Sequence, residues 1–363
     1  MSNNKYKTSV YIGRFQPMHN GHLETIKKAL ELSDKLIIFV GSSNKPKSVK
    51  NPFTTEERIK LLSDSIRLEY GEDLNPSWVD YTPDSILNKI IFLPLRDYIY
   101  NDYKWASEVT AKAMSVGATM NTDTGLFGCL KDDSSYYLKM FPKWDLNIEP
   151  YRWNLDATDV RTHYYEIVTT GELANEISAS RIPEYIDNYF EKWISSPDSD
   201  LVLDEYEYLK DYHSSWEGTP FPVQFTTVDS LVICSGCILL IKRGIKLGYN
   251  QWALAGGFLN PDERIVDGAL RELKEETKIR VPKKELENSI KEVKVFDHPQ
   301  RSQRGRIITH VHLIDLGYQT LPSIKGSDDA NEAHWVPIAD VMRMEDEFFE
   351  DHFDIIFQMT SNH

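Results

Sequence analysis

A chain of 363 residues, 41% hydrophobic and 27% charged, is too long for one small core and predicts two globular domains without extensive disorder. Its formal net charge of −15 repels nucleic acid, so a polyanionic ligand must be held by local basic groups, helix N-termini or metal ions. No apolar stretch approaches the roughly 18 residues that span a bilayer, residues 1–7 lack the apolar region of a signal peptide, and the three cysteines suit a reducing compartment. A cytoplasmic protein without nucleic-acid or membrane partners is expected.

In chain order, residues 9–12 read as a strand, 23–32 as a helix and 35–40 as a second strand. Another helix follows Thr54, which with Glu57 fits a capping box. Residues 90–93 and 124–127 read as later buried strands, and this alternation implies a parallel sheet with crossover helices. The run Ser195-Ser196-Pro197-Asp198-Ser199-Asp200 is the clearest linker signal. Beyond it, residues 228–234 and 238–242 flank Ser235-Gly236 as a β-hairpin. Cys234 and Cys237 bracket that turn; without a second cysteine pair or neighbouring histidines they are expected to be structural. A glycine-rich turn, a helix over 266–277 and further strands make this half a mixed α/β domain. The acidic stretch 345–354 is expected to be helical, with Phe348, Phe349 and Phe353 packed inward.

On the helix over 266–277, Val266, Ala269, Leu270 and Leu273 share one apolar face at helical spacing. Glu272, Glu275 and Glu276 sit at i, i+3 and i+4, so their carboxylates crowd another face, where a hard divalent cation would turn repulsion into binding. Gly256 and Gly257 allow close backbone approach, and Arg271 can pair with Glu263 and hold the loop to the helix. These residues resemble the Nudix box: Gly257, Glu263, Arg271, Glu272, Leu273, Glu275, Glu276 and Ile279 stand at its positions, and Lys278 replaces its glycine. The resemblance implies a pyrophosphate hydrolase in which Glu272, Glu275 and Glu276 hold Mg2+ or Mn2+ and Glu275 and Glu276 are catalytic. Gly257, Glu263 and Arg271 would be structural, and the general base is left unassigned. Downstream, Arg301, Arg304 and Arg306 concentrate positive charge in an acidic protein and are candidates for the substrate phosphates.

In the first half, the run from Gly13 to His22 follows a strand and opens a helix. Gly13 and Gly21 permit tight approach, Pro17 stiffens the turn, and the helix N-terminus suits phosphate. Arg14 and Phe15 lie in the same turn, and His19 and His22 can donate to a triphosphate as charge builds at phosphorus. The run resembles the signature of the HIGH-type nucleotidyltransferases. Their second signature is resembled by residues 156–161, offering Thr158 as helix cap and Arg161 as phosphate ligand. The segments 51–58, Arg96-Asp97 and 101–105 are similar to nicotinamide mononucleotide (NMN) adenylyltransferases of archaeal type, which implies a nicotinamide pocket lined by Asn101 and Trp105.

From about residue 9 onward the chain resembles the bifunctional NMN adenylyltransferase/Nudix hydrolases, as do residues 128–137 and 346–355. The fold implied is a Rossmann-like transferase domain with a parallel sheet (1–194), a linker (195–219) and a Nudix α/β/α sandwich with a mixed sheet (220–363). ATP, NMN and ADP-ribose would be its small-molecule partners, and a homo-oligomer is compatible with the sequence. Two alternatives stay open: a second half that senses a ligand without hydrolysing it, and a first half acting on another acceptor such as phosphopantetheine.

Overall fold

Alternating apolar strands and amphipathic helices give the first half a parallel sheet. The computed structural model describes residues 4–74, 85–130, 133–150, 156–171, 181–327 and 329–361. Lys131 and Asp132, within the family-like stretch 128–137, lie outside the described residues. By contacts the chain divides into two units, Met1–Leu203 and Asp204–His363. No helix among the described residues is long and apolar enough to cross a membrane.

The first unit runs β1 (Tyr6–Gly13), α1 (Asn20–Leu32), β2 (Ser33–Val40), α2 (Thr55–Glu69), β3 (Ile90–Pro94), α3 (Asp102–Ser115), β4 (Thr124–Cys129), β5 (Asp145–Glu149), α4 (Ala157–Thr170) and α5 (Glu184–Ile194). Its five strands are ordered β3-β2-β1-β4-β5, and every neighbouring pair is parallel. The winding reverses between β1 and β4, so a crevice opens beyond their carboxyl ends, where open α/β sheets bind ligands. Val10, Ile12, Ile37, Phe39 and Leu126 bury one sheet face against Val109 and Ala113 of α3. The expected capping box of α2 is present: Thr54 Oγ1 accepts from Glu57 N–H at 3.2 Å and Glu57 Oε2 from Thr54 N–H at 2.6 Å.

β5 was not expected, and its sequence explains why. Asp145-Leu-Asn-Ile-Glu149 turns its apolar residues outward, Leu146 and Ile148 being exposed. Asp145 and Asn147 accept from the buried Tyr6 hydroxyl instead. An edge strand tied down by a tyrosine lacks the usual apolar-inward pattern.

Residues 195–219, read from sequence as a linker, contain a short 3-10 turn at Pro197–Ser199 and helix α6 (Asp200–Ser214). The second unit continues with β6 (Gln224–Cys234), β7 (Cys237–Arg243), β8 (Trp252–Ala253), β9 (Ala255–Phe258), α7 (Ile265–Thr277) and α8 (Lys283–Asn288). It ends with β10 (Ile290–Phe296), β11 (Arg306–Asp315), β12 (Ala330–Pro337), α9 (Ile338–Val341) and α10 (His352–Thr360). The sheet order is β10-β11-β6-β7-β12, with β8 on β7 and β9 on β6; β11 and β6 are parallel and the other pairs antiparallel. The expected hairpin closes on Cys234 opposite Cys237, with Ser235 and Gly236 both at positive φ as a tight two-residue turn requires.

The single helix expected over 345–354 is absent. A 3-10 turn at Glu345–Glu347 and α10 are separated by Glu350, whose φ of 45° breaks any continuous helix. Phe348, Phe349 and Phe353 are buried as expected.

Candidate active sites

The carboxyl end of β1 feeds directly into the first site. Phe15 folds back over Gly13, where a Cβ would lie 2.7 Å from the phenyl ring. That return places Phe15 at a φ of 53°, an unusual conformation for an aromatic residue and one found at functional turns. The loop is fixed from three sides. Gln16 exchanges two hydrogen bonds with the backbone of Phe53, at 2.8 and 3.1 Å. Arg58, buried on α2, donates to the carbonyls of Arg14 and Gly41 at 2.7 and 2.6 Å. Arg161 on α4 donates to the Gln16 carbonyl at 2.6 Å. Burial pulls both guanidinium groups down to about 10.

At the start of α1, His19 is the N-cap residue and its backbone N–H donates to His22 Nδ1 at 3.2 Å. The two imidazole rings stack at 3.8 Å between centroids, and Phe15 meets His22 edge-on at 4.9 Å. Desolvation, and then the neighbouring His19, hold His22 well below the ordinary histidine range. His22 is therefore neutral near pH 7, and with Nδ1 accepting, its proton sits on Nε2. A cavity of about 560 Å3 opens here, lined by Arg14, His19, His22, Tyr137 and Arg161 among others.

The cap of α4 corrects one expectation. Asp156, not Thr158, is the N-cap: its Oδ1 accepts from Thr158 and Asp159 N–H at 2.8 and 3.0 Å. Asp159 returns the bond to the Asp156 N–H at 3.0 Å, so the carboxylate pair takes the capping box. Thr158 lies inside the helix and accepts from Arg161 at 3.2 Å. Asn101 also serves as a cap, its Oδ1 accepting from Lys104 N–H at 2.9 Å at the start of α3. Trp105 is half-buried against the core, with its ring 5.7 Å from that of Tyr137, one ring away from the cavity.

The second site is built on β9 and α7. A Cβ on Gly256 would fall 2.2 Å from the Val228 carbonyl oxygen, and one on Gly257 would fall 2.5 Å from the Glu272 carboxylate. Both glycines are steric requirements of strand pairing and helix approach. Arg271 binds Glu263 in a fork, Nε to Oε2 at 3.0 Å and Nη2 to Oε1 at 2.7 Å. That fork holds the Glu263 carboxyl down at about 2. The same arginine donates through Nη1 to Glu272 at 2.8 Å and Glu275 at 2.9 Å. Glu276 turns the other way, is 5% exposed, and accepts from Gly256 N–H at 2.9 Å.

The three carboxylates therefore share a helix but do not converge, and among the described residues no group of three or more ligating side chains does so. Their chemistry nonetheless fits a hard cation. Desolvation raises half-buried Glu272 even against its Arg271 partner and pushes Glu276 up to about 8, and a divalent ion would favour the charged form of both oxygen donors. Lys278, in place of the box's glycine, adopts a left-handed backbone at φ 45° and ψ 30° and ends α7 as the glycine would.

The three downstream arginines part company. Arg301 and Asp351, with side chains 2% and 1% exposed, form a buried fork at 3.0 and 2.9 Å. With its Nε and Nη2 committed to Asp351, Arg301 is structural in this geometry rather than a group presented to phosphate. Arg301→Met, leaving Asp351 buried without its partner, will destabilise the second unit by about 3–5 kcal/mol. Thermal unfolding of the full chain reads this, and an unchanged transition would return Arg301 to the phosphate candidates. Arg304 lies 5.3 Å from the Phe258 ring centroid, at the end of β9, while Arg306 is tied to the carbonyl of Asp297.

With this geometry in view, known proteins can be compared. Residues 10–182 match the cytidylyltransferase-like family and residues 225–359 the NUDIX domain family. A nicotinamide/nicotinic acid mononucleotide adenylyltransferase of Acinetobacter baylyi is 37% identical over 163 residues, 45% of this chain and 77% of the relative. A nicotinamide-nucleotide adenylyltransferase of Thermococcus onnurineus is 43% identical over 180 residues, 50% of this chain and 82% of the relative. The crystal structure of a bifunctional NMN adenylyltransferase/ADP ribose pyrophosphatase from Francisella tularensis, complexed with AMP and a manganese ion, matches both units. Its TM-score is 0.85 at 33% identity, covering 98% of this chain and 99% of that one. The chain belongs to this bifunctional family. Its parallel Rossmann-like sheet and its mixed Nudix sheet are the two folds of the family, in the expected order.

The roles of several residues around these two candidate sites escaped the sequence reading. Gln16 and Arg58 shape the first loop through the backbone of distant residues, which no local pattern reports. Burial, with Arg14 among its like-charged neighbours, lowers Lys50 to about 8. In the second unit Arg243 closes β7 with its guanidinium 3.9 Å from the Phe349 ring centroid; burial and then Arg304 lower it. Its place at a strand end, after Ile241-Lys242, was the signal available.

Proposed function

We propose that the chain is a two-site enzyme of NAD metabolism. Residues 1–194 transfer the adenylyl group of ATP to NMN, giving NAD and pyrophosphate. Residues 220–363 hydrolyse the pyrophosphate bond of ADP-ribose or a related nucleoside diphosphate derivative, with Mg2+ or Mn2+ bound.

The observation that carries the transferase reading is the neutral His22, its Nδ1 occupied by the His19 N–H, at the mouth of the crevice between β1 and β4. A phosphate oxygen of NMN attacks the α-phosphorus of ATP and pyrophosphate leaves, so catalysis consists of alignment and charge stabilisation. Nε2–H of His22 donates to a phosphoryl oxygen without having to titrate, and His19 and Arg14 line the same space. Arg58 and Arg161 act through the loop carbonyls they hold. Arg161 also borders the cavity and can reach phosphate from there. Asn101 and Trp105 remain the proposed nicotinamide contacts, with Trp105 offering its ring beside Tyr137.

For the hydrolase, Glu272, Glu275 and Glu276 would hold the cation. When bound, the ion polarises the phosphoryl oxygens and lowers the pKa of a bound water. Glu263 secures Arg271 by two bonds, so its Nη1 can release Glu272 and Glu275 while the loop stays in place. Arg304 and Arg306 are the proposed phosphate contacts. A module that only sensed its ligand would have no use for the three carboxylates.

A substrate panel on the purified chain tests both halves. ATP-dependent turnover is measured with NMN, its nicotinic acid analogue and phosphopantetheine, and hydrolysis with ADP-ribose and dinucleotides in Mg2+ or Mn2+. Turnover of phosphopantetheine alone would overturn the transferase assignment. If ADP-ribose and the dinucleotides stay uncleaved, the second domain is a sensor.

A further inference from the structure

The turn that leads into α10 buries four side chains in succession, those of Phe349, Glu350, Asp351 and His352. A regular helix or strand would turn at least one of them outward. The left-handed backbone of Glu350, at a φ of 45°, makes the arrangement possible. Glycine adopts that state freely and glutamate does so at a cost, so the side chain kept there points to a use.

Each of the four residues holds a different part of the second site. Phe349 carries the Arg243 guanidinium 3.9 Å from its ring centroid, and its N–H donates to the Trp252 carbonyl at 2.9 Å. His352 Nδ1 accepts from Leu254 N–H at 3.0 Å, just before β9. Asp351 binds Arg301 in the buried fork. Glu350 faces residues 302–304: its Oε1 accepts from Ser302 Oγ at 2.7 Å and from Gln303 N–H at 3.0 Å, while Oε2 lies 3.7 Å from Arg304 Nη2.

Two adjacent carboxylates therefore treat two arginines differently. Asp351 engages Nε and Nη2 of Arg301 directly. Glu350 gives Oε1 to neutral donors and stands off Arg304 beyond hydrogen-bond length, so its charge attracts the guanidinium without occupying it. Among the described residues, the side-chain hydrogen bond of Arg304 is that of Nε to Ser302 Oγ at 3.3 Å, which leaves Nη1 and Nη2 open. The guanidinium is nonetheless held in place, 5.3 Å from the Phe258 centroid and 5.9 Å from that of Phe349, on a side chain only 13% exposed. Arg243 shares the Phe349 ring, and Glu350 offsets the repulsion between the two cations: Arg304 lowers Arg243 and Glu350 raises it.

We infer that Glu350 is a positioning residue of the hydrolase, setting the 302–304 loop and the pose of Arg304 so that the open Nη1 and Nη2 meet a substrate phosphate as a fork. The inference rests on the reading of the second unit as a nucleoside diphosphate hydrolase with Arg304 on the phosphates. It gives the C-terminal turn, far outside the Nudix box, a part in substrate recognition.

A double-mutant cycle on the full-length protein tests this, with Glu350→Gln, Arg304→Ala and both together. Hydrolysis of ADP-ribose in Mn2+ is followed as kcat and KM, ADP-ribose binding in EDTA by calorimetry, and NAD synthesis from ATP and NMN reports an intact chain. Glutamine keeps an oxygen for Ser302 and Gln303 but loses the charge, so Glu350→Gln should raise KM and the dissociation constant about fivefold, and Arg304→Ala about tenfold. In the Arg304→Ala background Glu350→Gln should raise neither, because no guanidinium is left to place. Glu350→Asn suits the left-handed backbone but is one methylene shorter, and it should weaken KM at least as much as Glu350→Gln. In all of these kcat should hold within about threefold and NAD synthesis within about twofold, since ground-state binding and not the chemical step is affected. Equal increments from Glu350→Gln with and without Arg304, or KM and binding unchanged in both Glu350 variants, would overturn the positioning role and leave the hydrolase reading standing. If the wild type binds ADP-ribose without cleaving it, the hydrolase reading fails. The same cycle in dissociation constants then decides Glu350: coupling to Arg304 supports the role, and additivity overturns it.

Discussion

Changing Glu275 and Glu276 together to glutamine should reduce ADP-ribose hydrolysis by about a thousandfold or more while NAD synthesis continues at its normal rate. Both side chains lie on α7, and neither belongs to the first unit. A bound divalent ion is worth several kcal/mol of charge stabilisation at a phosphoryl group, and about 1.4 kcal/mol is tenfold in rate. The double variant removes two of its three proposed carboxylates. Folding should survive, because glutamine is nearly isosteric and its amide oxygen can still accept from Gly256 N–H. Parallel assays of both reactions on one preparation check this. A fall in both activities would sink the claim that the two sites work independently.

His22→Ala should lower kcat for NAD synthesis by about a hundredfold to a thousandfold, the range for loss of one preorganised donor at a developing charge. The melting transition should move little, because the ring contributes one hydrogen bond, from the His19 N–H, and partial burial. The same geometry fixes the sign of the pH effect. His22 has its pKa depressed, so the neutral donor is present at every pH above that low value and is lost only on acidification through it. Between about pH 6 and 8 the rate should therefore show no step from this group. Undiminished turnover by His22→Ala would remove the residue from the site, and a histidine-like titration near pH 6.5 that disappears in His22→Ala would contradict its assignment as a permanently neutral donor.

Much of this was legible in the sequence because the relevant residues are neighbours along the chain. The run from Gly13 to His22 and the α2 capping box are local patterns, and the structure keeps each where the spacing put it. What stayed hidden depends on distant partners. Arg301 resembles a free phosphate-binding arginine until Asp351, fifty positions later, is found beside it. Helical periodicity placed Glu276 with Glu272 and Glu275, yet the proximity of β9 turns it inward to Gly256 and buries it. The strand β5 inverts the expected polarity because the hydroxyl of a tyrosine from β1 donates to its Asp145 and Asn147 side chains. Thr158 yielded the cap of α4 to Asp156 because two carboxylates make a better reciprocal box than one hydroxyl.

Lys278 carries a lesson for how such signatures are used. The glycine of the Nudix box specifies a backbone state, and a lysine here accepts that state at a cost on the order of 1 kcal/mol. Such a cost is within reach of ordinary sequence drift, since one better contact elsewhere offsets it. A search demanding glycine at this position would discard a helix that keeps the other positions of the box, whereas one written in dihedral angles would retain it. Letters that stand for geometry tolerate exchange, and letters that stand for charge on a ligand do not.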